Sequence, residues 1–515
     1  MYQTLCQVLT DHVSRQPEAV AFFDGDHRIS YTQFEASVAE IAAGLQAMNL
    51  PPASRIAYLA DDHTTAYALL FACARLGHVF MPLNQRLSAE ELHTLLDHAQ
   101  AALLFTQEAG RKRLRFVLPR LANLHTITLS SDRAITTFQT KSQPVAARSG
   151  GDGGQACVQL YTSGTTGRPK GVVLPERCFF AITNAMRAQG DPWMGLQNHD
   201  RLLLSLPVFH IGGMWWAVQG LVAGAAGALL PRFSAGAALQ AIQQHRISQV
   251  AMVPAMLHRV LSEPEGEQTD LISVKGLLYG GSPMRQSLMA AIQARLGCRC
   301  FQMYGMTETG NMAVCQRPEE HQPDNPGRRF IAGRALPGAS LKIVLAKGDE
   351  AAVGQVGEVW IHSPAAMLGY HRDAEATAAT LVDGWVRSGD MGFVDEDGFL
   401  TLCDRLKDMI IYAGEKIFPA EIEAVLTQHG AVAEAAVIGV PDPRWGESVK
   451  AFVVRRPDTV LRKRDLLAFA KQQLADFKVP KSVDFVESLP RNASGRILKR
   501  ALRAPYWAGQ SRQVH

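Results

Sequence analysis

Helical and strand-like hydrophobic patterns alternate along the first half of this chain, and this alternation limits its possible folds more than any other feature. The helical pattern of SYTQFEASVAEIAAGLQAM (30–48) precedes the short apolar run RIAYLA, and the helical AYALLFACARLG precedes HVFMPL. The alternation continues to residue 260. Strands that alternate with helices in this way form parallel sheets covered by helices. The first half therefore predicts an α/β fold.

The pattern changes in the second half. Residues 341–402 contain short strands and tight turns, including SLKIV and GEVWIH, which predict a small β-rich lobe of the same large domain. A charged connector at 405–408 leads to a short strand, a glycine-containing turn and a helix with Pro419 in its first turn. The apolar runs AEAAVIGV, VKAFVV and VDFV then indicate a compact α+β domain. We therefore predict an N-terminal domain at 1–404, a connector at 405–408 and a C-terminal domain at 409–515.

Length and composition exclude several classes of protein. A chain of 515 residues is too long for one ordinary core, which favours a large multi-lobed domain and a second, smaller one. The 52 basic and 48 acidic residues are too balanced for a nucleic-acid partner. The N-terminus lacks a signal-peptide pattern, and the apolar GLVAGAAGALLP indicates a buried helix and strand, not a membrane span. The eight cysteines are scattered, and Cys298 and Cys300 lack zinc-site spacing, so we expect a reduced, cytoplasmic protein.

The stretch QLYTSGTTGRPKGVVLP (159–175) carries the strongest chemical signal. Its glycines allow backbone N–H groups to approach an anion, its hydroxyls donate further hydrogen bonds, and its lysine neutralises charge. It is not a Walker A loop, because Pro169 stands where that motif has its second glycine and no Ser or Thr follows Lys170. A polar surface turn is the alternative. The predicted phosphate-binding residues are Thr162, Ser163, Gly164, Thr165, Thr166, Gly167 and Lys170.

Two later turns add candidate nucleotide contacts. QMYGMTETG (302–310) offers the aromatic ring of Tyr304, the hydroxyl of Thr307 and the carboxylate of Glu308, which suit a stacked base, a phosphate oxygen and Mg²⁺. RSGDMG (387–392) places Asp390 in a glycine-flanked turn, where its carboxylate can accept both hydroxyls of a ribose. An ordinary loop and a turn-stabilising aspartate remain the alternatives.

In this order, these stretches resemble the AMP-forming adenylating superfamily, which comprises acyl-CoA synthetases, adenylation domains of peptide synthetases and luciferases. The resemblance extends from about residue 10 to residue 503 and is closest to acyl-CoA ligases. It implies that YTSGTTGRPKG is the phosphate loop, YGGSP (279–283) the adenine-side turn and YGMTE the nucleotide and Mg²⁺ turn. The nucleotide contacts that it implies outside the phosphate loop are Gly281, Ser282, Tyr304, Asp390 and Arg405, with Glu308 as the metal ligand.

The resemblance also implies an acid pocket and a tunnel for a thiol. His210 in LPVFHIGG matches the family's aromatic gate, although a packed histidine is the alternative. Trp215 and Trp216 border the implied pocket, with core packing as an equal alternative. The pocket residues implied are His210, Trp215, Trp216, Gly280 and Gly305, and Gly414 in YAGEKIFP would line the pantetheine tunnel.

The activity implied by the resemblance has two steps. A carboxylate attacks the α-phosphate of ATP to give an acyl-adenylate and pyrophosphate, and the thiol of coenzyme A then displaces AMP. Mg²⁺ is the metal, and Thr307, Glu308, His210 and the hinge residue Lys407 take part. In the family, the C-terminal domain rotates about this hinge between the steps.

One residue departs from the family pattern. The family's adenylation lysine follows the glycine of an SGK-like turn, and here that position is Arg496; Lys499 lies about one helical turn further on. Three hypotheses therefore stay open: a carboxylic acid:CoA ligase, a ligase that receives its acyl-adenylate from a separate adenylating enzyme, and a non-catalytic protein that binds AMP or an acyl-adenylate. No carrier domain is expected after residue 503, so we expect no internal carrier as the acceptor, whereas a separate carrier protein stays open as an alternative to coenzyme A.

Overall fold

The structure is a computed structural model that describes residues 1–129, 151–162, 169–191, 193–282, 284, 286–321, 331–412, 415–442, 444–491 and 497–508, with backbone alone at 265, 267 and 416. The helices are α1 Leu5–Arg15, α2 Tyr31–Ala47, α3 Thr64–Leu76, α4 Ala89–Ala99, α5 Glu108–Leu114, α6 Ala181–Ala188, α7 Ile211–Ala223, α8 Ala235–His245, α9 Pro254–Leu261, α10 Gln286–Leu296, α11 Ala374–Thr380, α12 Pro419–Leu426, α13 Lys463–Lys471 and α14 Lys499–Arg503. The strands are β1 Val20–Asp24, β2 His27–Ser30, β3 Arg55–Leu59, β4 Val79–Pro82, β5 Leu103–Gln107, β6 His125–Leu129, β7 Ala156–Thr162, β8 Lys170–Pro175, β9 Arg201–Leu204, β10 Ala226–Leu229, β11 Gln249–Met252, β12 Gly276–Gly280, β13 Arg299–Tyr304, β14 Val314–Gln316, β15 Ile331–Ala335, β16 Ser340–Val344, β17 Gly357–His362, β18 Gly369–Tyr370, β19 Leu381–Val382, β20 Trp385–Val394, β21 Leu400–Arg405, β22 Ile410–Tyr412, β23 Glu415–Ile417, β24 Val432–Asp442, β25 Gly446–Arg455 and β26 Ser482–Phe485.

The chain divides into two compact units. The first comprises residues 1–341 and 361–387, and the second comprises residues 342–360 and 388–515. The connector predicted at 405–408 lies within the second unit, in and beside a short 3-10 turn, Leu406–Asp408. The predicted domain boundary and the predicted hinge at 405–408 stay predictions.

One sheet of the first unit carries the predicted phosphate loop. Its strand order is β18-β8-β7-β4-β3-β5-β6. Strands β7, β4, β3, β5 and β6 are parallel, whereas β7, β8 and β18 are antiparallel. The middle strands are buried on both faces and rich in apolar residues, as parallel strands between helix layers require. The α/β class predicted from the alternating pattern is confirmed here.

The other sheet of the first unit carries the nucleotide turn. From β15 to β2 its order is β15-β14-β13-β12-β11-β9-β10-β1-β2, and the strands from β13 to β1 are parallel. A large apolar cluster fills the space between this sheet and the first, with contributions from α1, α2, α3 and α7. The helix α7 and strand β10 occupy the stretch predicted as a buried helix and strand. No helix in the described ranges is long and apolar enough to cross a membrane.

The second unit has a core of its own. Its sheet has the order β23-β22-β25-β24, and β26 pairs with β25. Helices α12 and α13 pack against one face with Ile422, Leu426 and Leu466 fully buried. Pro419 occupies the first turn of α12 as expected, where its missing N–H leaves no bond unmade. The α+β character predicted for the C-terminal part is confirmed.

Candidate active site

The hairpin formed by β7 and β8 holds the two ends of the predicted phosphate loop. Thr162 is the last residue of β7, Lys170 is the first of β8, and the two pair across the antiparallel hairpin. The hairpin therefore places a hydroxyl and an ammonium group at opposite ends of the loop. Ser163, Gly164, Thr165, Thr166 and Gly167 lie outside the described residues, so their phosphate contacts stay a prediction.

Tyr370 lies between the phosphate-loop lysine and the predicted metal carboxylate. Its hydroxyl donates a hydrogen bond of 2.9 Å to Oε1 of Glu308, and the ammonium of Lys170 lies over its ring, 4.7 Å from the centroid. Glu308 is 6% exposed and Tyr370 8% exposed. Burial, and then the charge of Glu308, raise the pKa of Tyr370, so the phenol stays protonated and donates.

The turn that carries Glu308 is fixed through its backbone. A 3-10 turn, Thr307–Thr309, follows β13, and the Glu308 carbonyl accepts a 2.9 Å hydrogen bond from the N–H of Met367. Gly305 permits the close approach of this turn to the following chain, because a Cβ there would lie 1.8 Å from the carbonyl oxygen of Asn311. The turn therefore brings Thr307 and Glu308 to the end of β13 in one conformation. The ring of Tyr304, the last residue of β13, is half-buried beside it.

A polar network starts at the residue after Tyr370. The guanidinium of Arg55 lies 3.0 Å from Nδ1 of His371 and donates through Nε to Gln159. The amide of Gln159 donates to the hydroxyl of Tyr161, which lies 2.7 Å from Nδ1 of His98. Burial, and then the charge of Arg55, lower the pKa of His371 to about 4, so its ring is neutral at physiological pH. The network ties β3, α4, β7 and the chain just after β18 together around the phosphate hairpin.

His210 is positioned by the start of α7 and by a buried carboxylate. It is the N-cap residue of α7, and burial, followed by the charge of Arg86, lowers its pKa to about 4. The loop before it is held by Asp62, whose Oδ2 accepts a 3.1 Å hydrogen bond from the N–H of Val208. Burial raises the pKa of Asp62 to about 7. The candidate gate is thus a neutral imidazole on a loop anchored by one buried carboxyl group.

The predicted adenine-side turn follows β12. Gly280 faces the neighbouring strand so closely that a Cβ would lie 2.6 Å from the Met303 carbonyl oxygen, and Gly281 has a φ of +77°. Both positions therefore require glycine for backbone reasons alone. Ser282 follows on the surface. The structure explains these glycines without a ligand, so their role in binding stays a prediction.

The two tryptophans of α7 lie in the central apolar cluster. Trp215 is 2% exposed and Trp216 1% exposed, and the indole N–H of Trp216 donates to the carbonyl of Leu203. Trp215 makes an edge contact with Trp193, with ring centroids 5.6 Å apart. These surroundings favour the core-packing alternative for both side chains, and a role at the acid pocket stays a prediction.

In the second unit, the two predicted ribose residues face each other. Asp390 on β20 and Arg405 on β21 are cross-strand partners, with Nε of Arg405 3.0 Å from Oδ1 of Asp390. The backbone N–H of Asp390 donates to the hydroxyl of Ser388, which in turn donates to the carbonyl of Val359. The strand pairing therefore brings together a carboxylate and a guanidinium that lie 15 positions apart in the sequence.

Charged pairs surround the predicted hinge. Nζ of Lys499 lies 2.8 Å from Oε1 of Glu423 and 3.9 Å from Oδ2 of Asp404, and the guanidinium of Arg503 lies 2.7 Å from Oδ1 of Asp408. Burial disfavours the ammonium, but these carboxylates outweigh it and raise the pKa of Lys499. Lys499 thus forms ion pairs with this cluster. This agrees with the expectation that Lys499 does not take the place of the family's adenylation lysine.

The remaining predicted residues are the hinge candidate Lys407, Gly414 and Arg496. Lys407 is exposed within the 3-10 turn, and its carbonyl accepts a hydrogen bond from Arg503. Gly414 and Arg496 lie outside the described residues. Their predicted roles, at the pantetheine tunnel and in adenylation, stay predictions.

An aromatic and cationic cluster lies at the end of β22, just before Gly414. The rings of Tyr412 and Trp445 are stacked, with centroids 5.6 Å apart. The guanidinium of Arg444 lies over Trp445 and the ammonium of Lys481 over Tyr412. Trp445 is 39% exposed. Sequence reasoning missed this cluster because its members come from segments up to 69 positions apart, without a motif that joins them.

The described side chains fit a magnesium ion that accompanies a nucleotide. Within the described ranges, no group of three or more His, Cys, Asp or Glu residues is arranged to hold a metal. Mg²⁺ beside a nucleotide usually takes one or two protein carboxylates and completes its shell with phosphates and water. Glu308 is a buried carboxylate of that kind, next to the phosphate hairpin.

Comparison with known families identifies the class. Residues 9–371 match the AMP-binding enzyme family, and residues 421–496 match the AMP-binding enzyme C-terminal domain. The chain belongs to the AMP-binding enzyme family, which confirms the resemblance found in the sequence.

Full-length relatives and solved structures agree with this assignment. The chain is 40% identical to a fatty acid–[acyl-carrier-protein] ligase of Streptomyces coeruleorubidus, over 100% of this chain and 98% of the relative. It is 35% identical to an indoleacetate–CoA ligase of Aromatoleum aromaticum, over 97% of both chains. The fold matches that of the o-succinylbenzoate CoA synthetase of Bacillus subtilis in complex with its acyl-adenylate intermediate, with a TM-score of 0.84 and 29% identity over 96% of this chain and 97% of that one.

Proposed function

We propose that this protein joins a small carboxylic acid to coenzyme A through an acyl-adenylate. It is an AMP-forming acid–thiol ligase that uses ATP, Mg²⁺ and coenzyme A. The observation that carries the assignment of residues is the contact of Tyr370 with both Lys170 and Glu308 at the phosphate hairpin. This arrangement supports phosphate binding and metal binding at one place.

In the first step, an oxygen of the acid attacks the α-phosphorus of ATP, and the bond from that phosphorus to the bridging oxygen breaks. Pyrophosphate leaves with the electron pair of the broken bond. Negative charge builds on the phosphate oxygens, so Lys170 and the hydroxyls of the loop stabilise the transition state by fixed electrostatics. Glu308 would hold Mg²⁺, and the bound ion would neutralise further phosphate charge. Thr307 donates to a phosphate oxygen, Tyr304 stacks on the base, and Gly281 and Ser282 line its edge.

The acid enters beside His210. A neutral imidazole neither repels nor captures the carboxylate by charge, and its ring can separate the acid from the thiol tunnel until the adenylate has formed. Gly280 and Gly305 leave room for the acyl group, with Trp215 and Trp216 behind it. Asp390 accepts the ribose hydroxyls, and Arg405 donates to the same sugar.

In the second step, the sulfur of coenzyme A attacks the acyl carbon, AMP leaves, and the thiol proton is released. We place the pivot between the two steps at Lys407, within 405–408, with 1–404 as the fixed domain and 409–515 as the mobile one. Gly414 lines the tunnel for the pantetheine arm. The cluster of Tyr412, Trp445, Arg444 and Lys481 offers stacking for a base and positive charge for phosphates, both of which coenzyme A carries.

The alternative with a separate adenylating enzyme rests on Arg496 alone, and relatives named as an indoleacetate–CoA ligase and a feruloyl-CoA synthase do not favour it. The same relatives disfavour a non-catalytic binding protein. A cytoplasmic location suits the reaction, because ATP and coenzyme A are available there, and the eight cysteines are free thiols in the structure.

The decisive experiment supplies the purified protein with ATP, Mg²⁺ and a panel of acids that includes fatty acids, indoleacetate and ferulate. Pyrophosphate release is measured without coenzyme A, and thioester formation is measured from synthetic acyl-adenylates. We expect both activities with the same acid. Thioester formation without any pyrophosphate release would replace the proposal with the supplied-adenylate alternative, and neither activity would overturn it.

A further inference from the structure

We propose that Tyr370 is a positioning residue for the first half-reaction, because one side chain fixes both the carboxylate of Glu308 and the ammonium of Lys170. The inference rests on the proposed function and deepens it. Sequence reasoning did not identify Tyr370, since LGYH contains no pattern that indicates phosphate or metal chemistry. Its contacts become visible only when the strands are paired.

The backbone of Tyr370 is fixed by hydrogen bonds to two neighbouring elements. The two-residue strand β18 pairs antiparallel with β8, and Tyr370 is the cross-strand partner of Val172, two residues after Lys170. The N–H of Tyr370 donates a 2.8 Å hydrogen bond to the hydroxyl of Thr377 on α11, which itself donates to the carbonyl of Asp373. The main chain of Tyr370 is thus held by β8 on one side and by α11 on the other. The position from which its ring extends is therefore fixed.

The hydroxyl of Tyr370 orients the carboxylate of Glu308. A carboxylate can only accept a hydrogen bond, so the hydroxyl of Tyr370 is the donor to Glu308. The bond holds Oε1 of Glu308 and restricts rotation of the carboxylate group. The backbone of Glu308 is fixed as well, through the N–H of Met367. The group that would ligate Mg²⁺ therefore has both its anchor and its orientation set.

The ring of Tyr370 contacts the ammonium of Lys170. An ammonium over an aromatic face is attracted by the ring's electrons, and this contact needs no hydroxyl. The ring and the hydroxyl of Tyr370 thus act on two different partners. Substitutions can separate the two: Tyr370→Phe removes only the bond to Glu308, whereas Tyr370→Leu removes the ring contact with Lys170 as well.

The test is calorimetry of ATP binding to the whole protein, with Mg²⁺ and with EDTA. For Tyr370→Phe, we expect Mg·ATP affinity to fall about tenfold to hundredfold, as for a lost hydrogen bond to a charged group, and metal-free ATP affinity to change by less than about threefold. For Tyr370→Leu, we expect metal-free ATP to bind about threefold to tenfold more weakly as well. The Mg²⁺ concentration that gives half-maximal pyrophosphate release should rise in both variants, whereas thioester formation from a supplied acyl-adenylate should not change.

Tyr31→Phe is the matched control. Tyr31 is a fully buried tyrosine whose hydroxyl donates to the carbonyl of Ala225, far from the phosphate hairpin in the sequence. It reports the effect of losing a buried tyrosine hydroxyl on folding alone. If Tyr370→Leu does not fold, Tyr370→Phe carries the test, because its ring fills the same space.

The outcomes separate the two proposals. If the unmodified protein binds Mg·ATP and Tyr370→Phe binds it equally well, the inference about Tyr370 is wrong and the proposed function stands. Equal losses of Mg·ATP and metal-free ATP in Tyr370→Phe would also overturn the inference, because they indicate a general structural effect. An unmodified protein that binds neither form of ATP overturns the proposed function, and the inference with it.

Discussion

The groups around the phosphate hairpin and those around residues 404–408 are held by different kinds of contact. At the hairpin, Tyr370 and Glu308 are buried side chains whose backbones are fixed by hydrogen bonds from neighbouring elements. Around 404–408, ion pairs made by Lys499 and Arg503 of one short helix add to hydrogen bonds donated by the backbone, such as that from the N–H of Ala420 to Asp404.

The buried groups at the hairpin keep one geometry, whereas the ion pairs around 404–408 can change partners. Buried hydrogen bonds within a packed core admit one geometry, which suits groups that must meet a transition state. The ion pairs around 404–408 are largely shielded from water, but their charged groups can take water or other charged partners when a rearrangement exposes them. A segment held partly by such pairs suits a hinge. We therefore expect substitutions at the hairpin to lower pyrophosphate release. Substitutions near 404–408 should instead impair the rotation that precedes thioester formation.

The largest expected effect is that of Glu308→Gln. The amide keeps the size of the side chain but removes the charge that holds Mg²⁺, so pyrophosphate release should fall about a hundredfold to a thousandfold. Thioester formation from a supplied acyl-adenylate should fall by less than about threefold. Equal losses in the two half-reactions would contradict this prediction, because Glu308 would then be needed for both steps. Circular dichroism checks that the fold is kept.

Lys407→Pro tests the other side of the comparison. Proline fixes φ near −65° and restricts the residue before it, Leu406, so the turn loses its freedom. We expect the thioester step to fall about tenfold to hundredfold and pyrophosphate release to change much less. Lys407→Ala is the control, since it removes the charge and keeps the backbone free. If both substitutions lower both steps alike, the ion-paired segment is not the pivot.

The buried carboxyl group of Asp62 should make the stability of the first unit depend on pH. The pKa of Asp62 is raised to about 7 by burial, above an unfolded value of about 3.9, so the folded protein binds a proton more tightly than the unfolded chain. This group's contribution to stability is therefore greatest below about pH 4 and is lost as pH rises to about 7. Asp62→Asn should remove this dependence and gain on the order of 2 kcal/mol at pH 8, measured by urea unfolding across pH. An unchanged pH profile in Asp62→Asn would show that Asp62 is already ionised in the folded protein.

The fold class and the local motifs could be predicted from the sequence because each depends on residues that are close together in the chain. Alternating patterns specified the α/β class, and the glycine-rich turns identified Lys170 and Glu308 as candidates. Tyr370 was missed because its role depends on pairing β18 with β8 across some 200 positions, and its own neighbours carry no signal. Trp215 shows the opposite limit. Its type and position suit a pocket wall and a core equally, and only its surroundings favour the core.

The smallest expected effect is that of Arg496→Lys. Lysine offers a compact ammonium, whereas arginine's guanidinium is wider and prefers two partners, so the exchange shifts the point of contact and keeps the charge. Full-length relatives named as ligases indicate a protein that completes both steps, and we therefore expect pyrophosphate release to change by less than about tenfold. Arg496→Met, which removes the charge, should lower it by a hundredfold or more. Thioester formation from a supplied acyl-adenylate is the internal control for both variants. A gain of a hundredfold or more in Arg496→Lys would show instead that arginine blocks adenylation, and that another enzyme supplies the acyl-adenylate to this one.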